Sequence, residues 1–384
     1  MPEAVVDARL LTRMREVARH VELYRRLWST SGIERDLQKA PRLDKAALRA
    51  CKAEDRVHSG RRGGRLMAEL SSGSSGEPMT IYCDRAALRA RRFAFLSALI
   101  RSGYRPGQRC LLLTSRRDSK WSGLARWHYA SIAEDTDSLA ERVKNFSPRV
   151  LYGPLSTLEL LADHFAKRNE RLPALALVVS TAEQLTPERK LSLDRTFGVP
   201  VADFYGMTEF GLVAYRPPGS QHFVVARSSL ILEFIPIPHD SAIEQLIVTD
   251  LAERTSPLVR YDTGDFVRRD GSRTDRPILE FAGREFDCIA LPNGCRVSPY
   301  RIDVALEHLP ELRAYEVLQQ PDLSIDVTID VASRNVDGIR SAIAQKLAAV
   351  LGNALPVRIA AEAVRRGPPG TKFRPIRSLA RISA

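Results

Sequence analysis

RVLYGPLSTLELLADHFAKR (residues 149–168) and ALALVVSTAEQLTPERKLSLDRTFGVPVADFYG (174–206) decide how the fold is read. RVLYGP is a strand, and STLELLADHFAKR is a helix in which Ser156 and Glu159 stand at capping-box spacing. ALALVVS is an apolar run of strand length. TPERKLSLDRTF is a helix with Thr186 as its cap and Pro187 at its first position, and VPVADFYG is a third strand. Strand, helix, strand, helix, strand predicts a parallel sheet, with ligands at the carboxyl ends of its strands. Two segments able to carry chemistry, STAEQL and YGMTEFG, fall at such ends.

Outward from this block the pattern changes twice. The region up to about Arg65 reads as helices, REVARHVELYRRL having apolar positions at helical spacing. RAALRARRFAFLSALIRSG is a further helix ending at Gly103, and RCLLLTS a short buried strand. Later, SSLILEFIPI, EQLIVTDL and PLVRYDTGDFVRR read as strands joined by turns, in an antiparallel sheet or small barrel. Beyond Gly283, DCIALPNGCRVS is a hairpin with Asn293-Gly294 at its tip. A helix from about Pro299, strands near Tyr315 and Ile325, a helix from about Val336 and the strand VRIAAEAV complete a compact α+β unit. The expected organisation is α/β: a large N-terminal domain, 1–284, with parallel α/β sheet layers and a small β-barrel-like part, followed by a small α+β C-terminal domain, 285–384.

The bulk properties agree with a globular protein and exclude several classes. Of 384 residues, 44% are hydrophobic and 27% charged, which supplies a sizeable core. No apolar run approaches membrane-span length. The first residues are amphipathic but include acids and no cleavage pattern, so they are not read as an export signal and a cytoplasmic protein is expected. Five scattered cysteines indicate neither a disulfide framework nor a zinc site. The net charge of +12 raises the question of nucleic acid. Arginine is locally dense at Arg61, Arg62 and Arg65 and at Arg89, Arg91 and Arg92, without the interleaved aromatics of a stacking platform. Solvated arginine-rich faces explain it more simply, and a groove attracting small polyanions fits the same charge.

LMAELSSGSSGEPMTIYCD (66–84) reads alone as either a flexible linker or a phosphate cradle. It runs from an apolar stretch directly into a strand-like one, which favours the cradle; glycines let backbone N–H groups turn towards an anion and Ser hydroxyls add donors. FYGMTEFG places Tyr205, Gly206, Thr208 and Glu209 after a strand. RYDTGD ends at Asp265, a carboxylate on a turn. AGREFD holds Gly283 and Arg284, and PPGTKFRPIR puts Lys372 in a Pro/Gly loop. Each has a bland reading as a turn, a linker or a basic tail. The five together, in this order, are harder to dismiss.

In that order they resemble the adenylate-forming superfamily of acyl- and aryl-CoA synthetases, adenylation domains and luciferases. The resemblance covers nearly the whole chain and is nearest to the phenylacetate–CoA ligase-like and CapK-like branch, whose opening VELYRRLWSTSGIERDLQKAPRLDKAALRAC also resembles. The resemblance implies that Ser72, Gly73, Ser74, Ser75 and Gly76 hold the β- and γ-phosphates of ATP. Tyr205, beside Gly206, would stack on adenine, with the backbone around Ala182 and Glu183 as the opposite wall. Thr208 would contact the α-phosphate and Glu209 would help hold Mg²⁺. Asp265 would bind the ribose hydroxyls with Arg284 close by, and Lys372 would reach between the substrate carboxylate and the α-phosphate.

The implied activity is ATP-dependent conversion of a carboxylic acid, aromatic in this branch, to an acyl-adenylate, followed by transfer to a thiol, foremost that of coenzyme A. A carrier-protein thiol or an amine is the alternative acceptor. The chain departs from the family pattern at Glu77, Pro78 and Met79, where the phosphate loop usually carries a Lys, and at Phe286, where an acid is usual and is found instead at Asp287. These departures motivate a rival reading, a nucleotide-binding protein without turnover. His128, in RWHYAS, is read as either a pocket residue or an ordinary surface or core histidine.

Overall fold

The structure, a computed structural model, describes residues 8–28, 40–61, 67–70, 79–115, 126–237, 240–307, 309, 311–331, 335–352, 355–364 and 374–380. The chain forms two compact units interleaved in sequence. One comprises Met1–Gly103, Phe204–Gly264 and Arg269–Leu279; the other comprises Tyr104–Asp203, Asp265–Arg268 and Glu280–Ala384.

In the second of these units the strands Trp127–Ser131, Cys110–Thr114, Val150–Pro154 and Leu177–Thr181 lie side by side in that order, all parallel. The helices Thr136–Phe146 and Leu155–Lys167 carry the crossovers into Val150–Pro154 and Leu177–Thr181, as parallel pairing requires. Leu111, Leu113, Leu151 and Val178 are buried with Leu158, Leu161 and Phe165 from the helix Leu155–Lys167 and Leu193 from the helix Pro187–Phe197. This is the parallel sheet that the strand–helix alternation predicts. Thr186 caps its helix through the N–H of Arg189, with Pro187 following, as read from the sequence.

The carboxy-terminal part of the same unit is a second, mixed sheet. Its strands run in the order Val357–Ala361, Ile325–Val331, Leu312–Gln319 and Ile376–Ser378. The central pair is antiparallel and the two outer pairs parallel. The helices Pro299–Glu307 and Val336–Leu351 lend Ile302, Leu306, Ile339, Ile343 and Leu347 to its core. A short hairpin, Ile289–Ala290 with Arg296–Val297, turns at Gly294 (φ 81°), a conformation glycine adopts freely.

The first unit gathers helices Ala8–His20, Glu22–Trp28 and Lys45–Ala50 around later segments of chain. Tyr24 is fully buried; its hydroxyl donates to the Pro257 carbonyl and accepts from the Val259 N–H at 2.7 Å. Met67–Leu70 pairs antiparallel with Thr80–Cys83, so the chain between them begins and ends in one two-stranded sheet. The segment Ser72–Gly76 itself, with Glu77, lies outside the described residues. Asp84 then caps the helix Arg85–Arg101 by accepting from the Ala87 N–H. A long antiparallel hairpin, Leu230–Ile237 with Asp240–Asp250, supplies the expected strand-rich region.

Close strand packing leaves one position in the parallel sheet intolerant of a side chain. A Cβ on Gly153 would lie 2.8 Å from the Leu113 Cβ. Gly153→Ala should therefore destabilise the fold by about 1–3 kcal/mol, the usual cost of overpacking a filled core. Urea denaturation measures this; an unchanged midpoint would contradict the packing described.

Candidate active site

In the first unit, Phe204 is buried between the rings of Phe95 and Tyr215, with centroids 5.9 and 5.8 Å away. The pleat then turns Tyr205 to the other face, where it is half-buried. The strand Val201–Met207 ends there, and Thr208–Phe210 form a turn closed by the Phe210 N–H on the Met207 carbonyl at 3.3 Å. Two glycines make room for it. A Cβ on Gly206 would come within 2.9 Å of the Gly211 carbonyl oxygen, and Gly211 has φ 70°.

Glu209 is 7% exposed, and its Oε1 accepts from the Tyr261 hydroxyl at 3.3 Å. Tyr261 lies edge-on to Phe210 with centroids 5.8 Å apart, and its backbone bridges Leu43. Its predecessor, Arg260, has φ 50°, a left-handed backbone that costs a non-glycine residue about 1–3 kcal/mol. Contacts to the Ala40 carbonyl (2.5 Å), the Thr249 hydroxyl (2.8 Å) and Glu233 (3.0 Å) hold it there. The Tyr-Gly-x-Thr-Glu and Tyr-x-Thr-Gly-Asp segments thus meet at Glu209 and Tyr261.

The sequence reading missed Arg91. It is placed there among solvated arginines, whereas it is 6% exposed. Its Nη2 donates to the Glu209 carbonyl at 2.6 Å and its Nη1 to the Thr208 carbonyl at 3.3 Å, with the Glu69 carboxylate 3.9 Å away. The signal was available. Ala87, Arg91, Ala94 and Ala98 form the buried stripe of the helix, so an arginine occupies a core-facing position.

In the second unit, Ala182 follows the strand Leu177–Thr181 with φ 70°. The Glu183 carboxylate accepts from both the Ser156 hydroxyl (2.7 Å) and the Ser156 N–H (3.1 Å). This corrects the expected capping box. Ser156 lies inside the helix, Pro154 occupies the cap position with no side-chain bond, and the helix terminus is satisfied by Glu183 from another loop. Glu159 instead forms a two-pronged pair with Arg189, at 2.7 and 2.8 Å. Burial raises the Glu183 carboxyl above its ordinary range, against the opposing Ser156 bond and Arg189 charge. The Glu183 side chain is thus committed to the helix.

Asp265 is 4% exposed and ion-paired to the Arg284 Nε at 2.9 Å. The segment read as a turn is in fact part of the strand Tyr261–Arg269. Gly264, at φ 69° with its N–H on Asp262 Oδ1, absorbs the irregularity that Thr-Gly-Asp signals without ending the strand. Beyond Arg284, Phe286 is 41% exposed and lies under the guanidiniums of Arg284 (5.7 Å) and Arg374 (5.1 Å). Asp287 is buried and paired with Arg374 at 3.0 Å. His128 is exposed and its ring lies tilted against Phe146 with centroids 4.4 Å apart, which excludes the core histidine among its readings. Lys372 lies outside the described residues.

No cluster of three or more His, Cys, Asp or Glu able to hold a metal exists among the described residues. A single buried carboxylate such as Glu209 suits Mg²⁺, which is commonly held by one or two carboxylates together with substrate phosphates.

Burial pushes the Asp287 carboxyl up to about 6, against the opposing charges of Arg374, Arg284 and Arg377. Between about pH 4 and 6 the folded chain keeps a proton that the unfolded chain releases, so this group's contribution to stability falls as pH rises. Replacing it with Asn removes the dependence. The stability difference, wild type minus Asp287→Asn, should fall by up to about 3 kcal/mol across that window. Denaturation at stepped pH measures it, and a difference independent of pH would contradict the burial.

The model of the AMP-binding enzyme family matches residues 125–228. A phenylacetate-coenzyme A ligase of Thermus thermophilus is 24% identical over 379 residues, spanning 85% of this chain and 81% of that one. Among solved structures, a 2-hydroxyisobutyryl-CoA ligase in its postadenylation state, in complex with R3-HIB-AMP, superposes with a TM-score of 0.76 at 18% identity. The match covers 97% of this chain and 88% of that one. An anthranilate CoA ligase in complex with anthranoyl-AMP gives a TM-score of 0.60 at 17% identity, over 80% and 66% of the two chains. At these identities the structural likeness establishes the fold; the chain carries a match to the AMP-binding enzyme family over residues 125–228 and is similar to phenylacetate-coenzyme A ligases.

Proposed function

We propose that the protein activates a carboxylic acid with ATP, releasing pyrophosphate and forming an acyl-adenylate, and then transfers the acyl group to the thiol of coenzyme A. The observation that supports this reading most is the meeting of Glu209 with Tyr261. It joins two segments that the superfamily uses on the nucleotide, through a carboxylate of the kind that commonly holds Mg²⁺ together with phosphates.

In the first half-reaction a substrate carboxylate oxygen bonds to the α-phosphorus as the bond to pyrophosphate breaks. Two anions approach each other, so positioning and counter-charge dominate the barrier. Thr208 at the strand end would donate to the α-phosphate. Mg²⁺, when bound by Glu209 and phosphate oxygens, supplies positive charge against the polyphosphate. Ser72–Gly76 would cradle the β- and γ-phosphates, and Lys372 would bridge the carboxylate and the α-phosphate. Asp265, held by Arg284, would accept from the ribose hydroxyls; Tyr205 would stack on adenine, with the Ala182–Glu183 backbone as the other wall. In the second half-reaction the thiol sulfur attacks the acyl carbon, loses its proton and expels AMP.

The acid is best sought among aromatic carboxylates, because the relatives include phenylacetate and anthranilate ligases. We assign residues 1–284 to a domain for ATP and carboxylate and residues 285–384 to a mobile domain carrying Lys372. The segment Arg284–Asp287 would be the pivot that withdraws Lys372 between half-reactions. No helix among the described residues is long and apolar enough to cross a membrane, and we place the enzyme in the cytoplasm.

Mass spectrometry of products from a carboxylate panel with ATP, Mg²⁺ and coenzyme A tests the overall reaction. Lys372→Ala tests the mechanism. It should lower adenylate formation by about 10²–10³-fold, the scale of one transition-state donor. Thioester formation from a supplied acyl-adenylate should stay within about twofold of wild type, since that step does not use the bridge across the carboxylate and α-phosphate. Equal loss in both half-reactions would contradict the role given to Lys372.

A further inference from the structure

We propose that Arg91 is a positioning residue for the phosphate-contacting turn, and that it sets the Glu209 N–H as an α-phosphate donor. The inference rests on the reading above, in which the Thr208–Glu209 turn meets the nucleotide. It adds a residue that touches no substrate and acts through the backbone.

The geometry is that of two consecutive peptide groups held by one guanidinium. Arg91 donates to the carbonyls of Thr208 (3.3 Å) and Glu209 (2.6 Å). Both peptides are trans, so each N–H points away from its own carbonyl. The Glu209 carbonyl shares its peptide with the Phe210 N–H, which is spent inside the turn on the Met207 carbonyl. The Thr208 carbonyl shares its peptide with the Glu209 N–H, which has no protein acceptor among the described residues. Fixing the carbonyl inward therefore turns an unspent N–H outward, beside the Thr208 hydroxyl. Donors set in advance at a developing anion need no reorganisation during the reaction.

Several features show that this clamp is built in. A planar guanidinium reaches two acceptors at once, which an ammonium on a single point cannot. The Arg91 stem passes Gly211, where an added Cβ would stand 3.3 Å from it. Glu69, 3.9 Å away, supplies a counter-charge for a guanidinium that is 6% exposed. The charge is thus neutralised on one side and spent on two peptide carbonyls on the other.

The test compares the affinity for ATP with Mg²⁺ to that for adenosine, by calorimetry, in wild type, Arg91→Met and Arg91→Lys. The clamp acts on the phosphate turn and not on the base or ribose. Arg91→Met should weaken ATP with Mg²⁺ about tenfold or more, the scale of one charged hydrogen bond, and adenosine less than about twofold. Arg91→Lys, able to serve one carbonyl, should fall between. Equal weakening of both ligands would assign Arg91 to general stability, and no weakening would assign it no part; either overturns the proposal. If Arg91→Met does not fold, the Lys variant decides by the same comparison. Because binding alone is read, a wild type that turns over no carboxylate contradicts the proposed reaction while the ATP–adenosine split still decides Arg91.

Discussion

A carboxylate taken out of water must be satisfied where it is buried or the fold loses several kcal/mol. Glu209 is such a group, and much of the first unit serves it. The Tyr261 hydroxyl reaches its oxygen. Phe210 fixes the Tyr261 ring, and the clamped left-handed Arg260 fixes the backbone that delivers it. Gly206 and Gly211 allow the two strands at the turn to approach without a Cβ between them. A substitution at any of these positions would reach the same acidic side chain by a different route.

The second unit solves a related problem at a half-buried loop end. Ala182 takes a left-handed backbone at the end of a parallel strand, where ligands of such sheets bind. What stabilises that loop is the Glu183 carboxylate at the N-terminus of the helix Leu155–Lys167, an arrangement favoured by the free N–H groups and the dipole there. Asp265 is likewise set by Arg284, which also lies over Phe286. The chain puts an acid at Asp287 and an aromatic ring at Phe286, and both engage Arg374. The departure from the usual boundary pattern is therefore matched by a partner elsewhere in the same unit.

The parallel sheet was legible because hydrophobic runs of strand length alternate with helical spacing, and because Thr186-Pro187 is a strong local start signal. The hairpin at Asn293-Gly294 was legible for the same local reason. Long-range partners were not. Ser156 and Glu159 satisfy a spacing rule, yet Glu183 and Arg189 offered better-placed charges from distant positions. Thr263-Gly264-Asp265 has turn chemistry, but one glycine absorbs it inside a strand. Arg91 was misplaced because a charged residue on a helix is usually solvated, and only its coincidence with the alanine stripe argued otherwise. The roles assigned to Tyr205, Thr208, Asp265 and Lys372 came from the resemblance of their motifs to the adenylate-forming superfamily, which no periodicity encodes.

The proposed reaction turns on the reversible formation of a phosphorus–oxygen bond between a carboxylate and AMP. Exchange of labelled pyrophosphate into ATP, assayed without coenzyme A across a panel of carboxylic acids, reads that step directly. Exchange should require Mg²⁺, occur with at least one aromatic acid and vanish when the acid is omitted. Tight ATP binding with no exchange on any acid would contradict it and leave a nucleotide-binding protein in its place.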